Sequence, residues 1–466
     1  MRLKFNAQGR LEFGPSHLKL TKAYYEKYDA INNILQANPK ILEAFHRDVS
    51  QPLKKATRKR RAQFTSEQLL KIVIVMEVEE LVYRATVIRI DDSEFLRRFV
   101  GLYDQPMMDF TTLSKLYKQI QPKTWKSINE LLSGYAQAEN LISGESLRVD
   151  TTAYETNVHY PTDSSLLWDG YRVLSRLIGQ VRELDSEVVG SRRLQVRRVK
   201  RVVQQIARLA PQKGQNLRRV KRHYQVLLGR VEAILVWSFD IRSECQANLA
   251  AGRYGYETEL SMLGLIEQMK DFEELTRRVV DQARRRVLGG EQVPNSEKLF
   301  SMFEPHTELL IRGKAGKPVE FGHMVLLQQV ENKFVSDYAT FEKRPSDESL
   351  IDGIIARHEK MFGKKPTNLT GDKGFYKSRE KLAELEKVIE NVSIAKKGSR
   401  TLEEMEREHA PIFRKLQRFR AGIEGTISYL KRCYKMFRCL YRSFRTYCSS
   451  IGCHIFAHNL VALSRL

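Results

Sequence analysis

Three carboxylates stand out by where they fall in the chain. Asp150 closes a stretch in which Leu147 and Val149 alternate with Ser146 and Arg148, and Thr151 and Thr152 follow it. Asp372 closes a second short apolar stretch and sits within Gly371-Asp372-Lys373-Gly374. Side chains at the C-terminal ends of strands in an open α/β sheet commonly face a ligand crevice. Two aspartates so placed on neighbouring strands would offer a hard divalent cation the carboxylate oxygens it prefers. Glu424 is the only acidic residue between 409 and 466, a segment that also carries Arg414, Lys415, Arg418, Arg432, Lys435 and Arg438. Arg420 stands four residues before Glu424 and Lys431 seven after it. At 3.6 residues per turn the three share one helix face, so one helix can present a carboxylate to a metal and two cations to a phosphate.

Each acid also has a plainer reading. Asp150 fits an ordinary strand end, and Asp372 an ordinary turn residue beside glycine. Glu424 fits an i,i+4 partner of Arg420, worth only about 0.2–0.5 kcal/mol. Glu155, Asp163 and Asp169 lie close enough in sequence to compete with Asp150.

The charge of the chain narrows the choice of partner. Lys and Arg number 79 against 56 Asp and Glu, a net +23 over 466 residues. Self-repulsion of that size favours a polyanionic partner. Nucleic acid comes first, because each neutralised phosphate releases counterions. An anionic membrane surface comes second, since no basic amphipathic helix adjoins an apolar anchor. Between 191 and 230 there are thirteen Lys or Arg and no acid, with Val196, Val199, Val203 and Ile206 at helical spacing. One face can be buried while Arg197, Arg198, Arg201, Arg218, Arg219 and Arg222 face DNA. A second dense run, Lys54, Lys55, Arg58, Lys59, Arg60 and Arg61, reads as a phosphate-contacting arm, with a solvated loop as the alternative. Trp237 lies in the helical stretch and could stack on an unpaired base, or simply fill a core, as could Trp168. His323 reads as a packed strand residue.

Hydrophobic content of 42% and charged content of 29% suit a globular chain and exclude overall disorder. The length allows two or three domains. The apolar runs 72–76 and 233–237 are too short to cross a bilayer, and residues 1–5 lack a signal-peptide core. A cytoplasmic, nucleoid-associated protein is the expectation. Five cysteines, an odd number, do not suggest a disulfide framework. Cys448, Cys453, His454 and His458 match no common zinc spacing and read as core residues of a helix.

The elements that must position these residues alternate in type. A hairpin is expected at 2–13, then helices at 20–36, 39–49, 65–82 and 92–100, and a helix at 110–120 capped by Asp109. A short strand ends at Asp150, and a helical stretch at 164–292 breaks at 211–214. Strands at 308–312 and 321–330 flank the turn from Gly313 to Pro318. Helix 347–362, strand 367–370, helix 377–387, strand 388–395 and basic helices from 408 complete a mixed α/β fold class. The domains are a mainly helical DNA-binding segment over 1–140, a sheet domain from 141–163 and 300–466, and a basic helical insertion over 164–299.

Several segments resemble one family. Arg420, Glu424 and Lys431 resemble the R-E-K part of the Y-R-E-K signature of bacterial insertion-sequence DDE transposases, in the group related to families four and five; the signature's Tyr falls at Gln417. Val149-Asp150-Thr151-Thr152, with 155–164 after it, is similar to the first-Asp motif. Gly371-Asp372-Lys373-Gly374-Phe375-Tyr376 is similar to the second-Asp motif. Residues 313–323 resemble the strand pair between them, and 64–120 the helical N-terminal domain. The resemblance implies an RNase H-like catalytic core, with the first Asp on strand one, the second after strand four and the Glu on a later helix. Asp150 and Asp372 are 222 positions apart, so the insertion falls before the second strand and is helical, unlike the β insertion after the second Asp known from the four-type enzymes. The family's chemistry implies Asp150, Asp372 and Glu424 as ligands of two Mg²⁺ ions, with Mn²⁺ as substitute, about 4 Å apart. Arg420 and Lys431 would grip phosphates beside the scissile bond. The implied partners are double-stranded DNA, as terminal inverted repeats and target, and a second copy of the chain in a homodimer. An RNase H-like nuclease or resolvase without strand transfer, and a non-catalytic DNA-binding repressor, are the alternatives.

Overall fold

The computed structural model describes residues 18–54, 63–210, 216–314 and 316–466. The described residues fall into two compact units, one within Met1–Asn157 and His323–Leu466, the other within Val158–Gly322. The hairpin expected at 2–13, basic residues 55–61 and the break at 211–214 lie outside the described residues. Lys54 is the last residue of a helix.

Unit 1 begins with seven helices: α1 (Lys19–Ala37), α2 (Pro39–Lys54), α3 (Ser66–Val78), α4 (Tyr83–Asp92), α5 (Glu94–Val100), α6 (Phe110–Tyr117) and α7 (Pro122–Ala138). Their ends are written in side-chain chemistry. Thr65 and Gln68 form a reciprocal capping box, the Gln68 N–H donating to Thr65 Oγ1 at 3.1 Å and the Thr65 N–H to Gln68 Oε1 at 2.9 Å. Asp109 accepts from the Thr111 N–H at 2.8 Å and starts α6 as expected. Gly101, at φ 81, ends α5 in the left-handed conformation that glycine adopts without penalty. The helix expected at 65–82 stops at Val78; Glu80, at φ 57, turns the chain before α4.

The sheet of unit 1 starts with β1 (Ser146–Thr156) and continues in the later part of β3 (Lys317–Gln329), β4 (Val335–Thr340), β5 (Asn368–Gly371), β6 (Asn391–Ile394) and β7 (Arg438–Cys439); β2 (Glu308–Lys314) belongs to unit 2. In unit 1 the strand order is β4-β3-β1-β5-β6, with β7 beside the far end of β1. β4 pairs antiparallel with β3, whereas β1, β5 and β6 run parallel. The strand expected to end at Asp150 runs on to Thr156. Its further residues are largely β-branched or aromatic, which suits a pleated and half-buried surface, and Ala153 and Tyr154 are buried. β4 escapes sequence reading because it is short and carries Ser336 and Asp337. It is held by β3 and by Asn459, whose side chain bonds both the N–H and the C=O of Val335, at 3.0 and 2.9 Å. The parallel strands are spanned by α13 (Ile351–Phe362) and α14 (Arg379–Glu386); α15 (Leu402–His409), α16 (Pro411–Cys433) and α17 (Phe444–Leu463) follow. α17 is buried along nearly its whole length, as a helix apolar on all sides must be. Ile72 and Val75 of α3, Leu147 and Val149 of β1, and Phe456 and Leu460 of α17 belong to one hydrophobic core.

Unit 2 contains α8 (Asp163–Leu184), α9 (Ser186–Val189), α10 (Val196–Leu209), α11 (Leu217–Ala250) and α12 (Tyr256–Ala283), a π-helical turn at Arg284–Leu288, and β2 paired with the first part of β3. The helical stretch is interrupted more often than the sequence suggests, after Leu184, Val189 and Ala250 as well. Gly252, at φ 65, supports the last of these turns. Along α11, Val220, Tyr224, Leu227, Val231 and Ile234 recur every three or four residues and fill a second core. Among the described residues no helix is long and apolar enough to cross a membrane.

Candidate functional site

Pairing between β1 and β5 puts the two aspartates on neighbouring segments of the sheet. The parallel register matches Ser146 with Asn368, Leu147 with Leu369 and Arg148 with Thr370. Carried on by two residues, it sets Asp372 beside Asp150, on strands about 4.8 Å apart. A Cβ placed on Gly371 would lie 3.3 Å from Val149 Cγ2, which agrees with that register. The start of β1 is anchored by Glu331, whose carboxylate accepts from the N–H groups of Ser146 at 3.0 Å and Gly144 at 3.2 Å. Burial pushes the Glu331 pKa up, but these backbone donors outweigh it and hold the carboxyl below its ordinary value.

Both aspartates are held locally. The Thr151 N–H donates to Asp150 Oδ1 at 2.7 Å, and the Gly374 N–H to Asp372 Oδ1 at 2.8 Å. Each side chain is half-buried. A third carboxylate reaches this place. Asp347 begins the 3₁₀ turn Asp347–Ser349, and Thr151 Oγ1 lies 3.4 Å from its Oδ1. A Cβ on Gly374 would lie 2.7 Å from Asp372 Oδ1 and 3.1 Å from Asp347 Oδ2, so both carboxylates border the same small space. A side chain at 374 would push at least one of these carboxylates aside. Sequence reasoning passed over Asp347 because no strand ends at it; Asp347 and Gly374 meet only once the two 3₁₀ turns pack.

Arg148 ties α16 to the strand that carries Asp150. It shares a sheet face with Asp150, two residues on. It is buried, bonds Gln329 Oε1 at 2.8 Å and the Phe419 carbonyl at 2.6 Å, and lies over the Phe419 ring. Burial draws its pKa down to about 10, so the guanidinium stays charged at neutral pH. Gly422 leaves room for this arginine, because a Cβ there would stand 2.2 Å from Arg148 Nη1. Further along the sheet, Gln417 Nε2 donates to the Ser393 carbonyl at 2.8 Å and docks α16 on β6.

Glu424 lies on this helix, four residues past Arg420, and receives the Arg420 guanidinium at 2.9 Å. Its side chain is 62% exposed. Asp372 and Asp347 therefore border one space, Asp150 lies on the neighbouring strand, and Glu424 is turned to Arg420. Among the described residues no three His, Cys, Asp or Glu side chains converge at metal-holding spacing. The donor set of the aspartates, all hard carboxylate oxygens, suits Mg²⁺ or Mn²⁺.

The competing acids are bound elsewhere. Glu155 meets Arg438 at 3.4 Å, Asp163 meets Arg286 at 2.8 Å, and Asp169 meets His159 at 2.7 Å. His323 is packed between Phe444 and Tyr447. Cys453, His454 and His458 are buried at separate contacts along α17, and the five cysteines are free thiols.

In unit 2 the side chains of Arg197, Arg198, Arg201, Arg218, Arg219 and Arg222 are all exposed on α10 and α11. Val199, Ile206, Val220 and Tyr224 of the same helices are buried. The expected division into an apolar and a basic face holds there. Trp237 is half-buried against the core of unit 2, and Trp168 stacks on Tyr171.

Compared with models of known protein families, with curated proteins and with solved structures, the chain matches none.

Proposed function

We propose that this chain is a metal-dependent DNA phosphoryl transferase of the DDE transposase type, which cuts the ends of a mobile element and joins the freed 3′-OH to target DNA. The observation that carries the reading is the parallel pairing of β1 with β5, whose register, carried on past Arg148 and Thr370, leads to Asp150 and Asp372. The strand order β4-β3-β1-β5-β6 supports it, with one acid on the first strand of unit 1 and the next after the fourth. That arrangement is what an RNase H-like core requires. The exposed arginines of α10 and α11 supply a face for phosphates.

Asp150 and Asp372 would hold Mg²⁺ or Mn²⁺, with Glu424 as the third ligand once Arg420 releases it to a phosphate. When bound, such ions lower the pKa of attacking water and stabilise the charge of an in-line displacement. Arg148 keeps α16 seated over β1, Thr151 and Gly374 orient the two aspartates, and Arg420 and Lys431 bind phosphate beside the scissile bond. A homodimer pairing two DNA ends would complete the reaction.

A specific observation favours a second assignment of the third acid. Asp347 already borders the space beside Asp372, whereas Glu424 is engaged by Arg420. The test is a Mg²⁺-dependent cleavage and strand-transfer assay on end-bearing DNA with Asp150→Asn, Glu424→Gln and Asp347→Asn. Loss of both steps in Asp150→Asn is expected. Undiminished activity there overturns the reading, and cutting without joining by the wild-type chain replaces it with a nuclease.

A further inference from the structure

We propose that unit 1 holds a second ligand site, a cavity that takes a nucleotide: a planar nitrogen-containing ring together with its phosphate. The cavity measures about 340 Å³, within the usual span of small-molecule sites. Tyr154, which lines it, is four residues past Asp150 on β1, about 13 Å along an extended strand. The cavity is therefore separate from the aspartate pair.

Beside the apolar Met76, Leu81, Val82 and Leu440, three kinds of side chain in its lining bear on the ligand class. Tyr83 and Tyr441, both partly exposed, provide aromatic walls on which a base can stack, with buried Tyr154 and Tyr434 at the back of the cavity. Glu77 and His454 provide buried polarity: both are nearly inaccessible, and His454 Nδ1 lies 2.6 Å from Glu77 Oε2. The other ring nitrogen of His454 lies 3.4 Å from Tyr154 Oη. Lys118, Lys435, Arg438 and Arg442 provide positive charge, all but Lys435 exposed. Glu155 answers Arg438 at 3.4 Å, and Glu80 is the exposed acid among the lining residues. The segment carrying Arg438, Leu440 and Tyr441 is bracketed by Lys435 at φ 55 and Ser443 at φ 72. That backbone is costly for residues with side chains, and it holds the basic and aromatic groups on one opening.

The combination selects the ligand class. A lipid chain would match the tyrosines but leave a carboxylate and an imidazole against hydrocarbon. Inorganic phosphate would match the cations and leave the aromatic walls unused. A nucleotide satisfies all three, its ring on tyrosine, its ring N–H or amino donors toward Glu77, and its phosphate at the lysines and arginines. The nucleotide is either free or an unpaired residue of a DNA strand, and the second source rests on the DNA reading above.

The test uses the full chain and three probes: dAMP, deoxyribose 5-phosphate, and a duplex with one bulged adenine set against its fully paired counterpart. Two variants accompany them, Tyr83→Leu, which keeps apolar volume but removes a ring, and Arg442→Gln, an exposed change that leaves packing intact. Expected is a preference of about tenfold for dAMP over deoxyribose 5-phosphate, or for bulged over paired duplex, reduced about tenfold by Tyr83→Leu. Arg442→Gln should weaken dAMP and bulge binding alike. Preference for dAMP alone assigns the free nucleotide, and preference for the bulge alone assigns the strand. Absence of both preferences, or preferences untouched by both variants, overturns the site. Binding of dAMP by a chain that neither binds nor cuts duplex would leave this site standing and remove the transposase reading.

Discussion

Unit 1 and unit 2 place their charged residues by different means. In unit 1, Asp150, Asp347 and Asp372 come from distant points of the chain; strand pairing sets Asp150 and Asp372 on neighbouring strands, and Asp347 borders Asp372 across Gly374. In unit 2, Arg197, Arg198, Arg201, Arg218, Arg219 and Arg222 lie on two helices, and their exposure follows from spacing along each helix. The contrast matters because a carboxylate cluster tolerates little displacement, whereas phosphate binding depends on summed charge. Unit 1 should accordingly be sensitive to single changes and unit 2 only to changes made together.

The largest effect expected is on cleavage. Asp150→Asn or Asp372→Asn should lower Mg²⁺-dependent cutting by about 10²–10³-fold or more while leaving the melting temperature unchanged. Running Glu424→Gln beside Asp347→Asn decides which acid completes the set, since the essential one should fall as far as Asp150→Asn.

The next effect is on binding. Replacing all six arginines with Gln should flatten the dependence of log K on log salt by about 0.9 for each phosphate that is no longer neutralised. Each single replacement should remove at most one such step. Cleavage at saturating protein should persist. A sixfold variant with an unaltered salt slope, measured by anisotropy on a paired duplex, would place the DNA-binding face elsewhere.

A smaller effect is on stability. Arg148→Leu strips partners from Gln329 and from the Phe419 carbonyl, and should cost about 1–3 kcal/mol in urea unfolding for each buried group left unpaired. Cleavage should fall with it, since α16 then loses its tie to β1. A stable variant with full activity would show that the other contacts of α16, Gln417 on Ser393 among them, seat it without Arg148.

The smallest effect separates the units by pH. Burial holds His358 and His458 of unit 1 neutral, with pKa values drawn down to about 4. The unfolded chain binds protons below about pH 6.5 that the folded unit refuses, so stability falls as pH drops from about 6.5 towards 4. In unit 2 the hydrogen bond to Asp169 raises the His159 pKa. That contribution is fully present below the unfolded value and is lost as pH rises through the folded one. Urea midpoints at pH 7 and pH 5 should show the acid loss shrinking in His358→Phe, whose ring can keep the stacking on Phe362. Equal losses in wild type and variant would count against a neutral buried His358.

Much of this was legible before any folding was considered. Amphipathic spacing located α1 and α2 and marked the stretch of α10 and α11 as helical with one basic face, and the side chain of Asp109 marked the start of α6. The alternation ending at Asp150 and the Gly-Asp-Lys-Gly turn pointed to β1 and β5. β4 was not legible, because Ser336 and Asp337 interrupt its apolar pattern and its pairing energy comes from β3 and Asn459. The extension of β1 to Thr156 was missed because its later residues find their partner, β7, nearly 300 positions on.

Local rules, then, sufficed for much that depends on neighbours within a turn or two: the capped start of α6, the basic face of α10 and α11, and Asp372 as an acid just past a strand; Asp150 was placed on a strand, but one that runs on past it to Thr156. Which acids meet was decided by tertiary structure. The β1–β5 register, the space kept open at Gly374 and the Arg148 tie to α16 join residues hundreds of positions apart. No pattern in either segment encodes the other's location; the geometry of packing does.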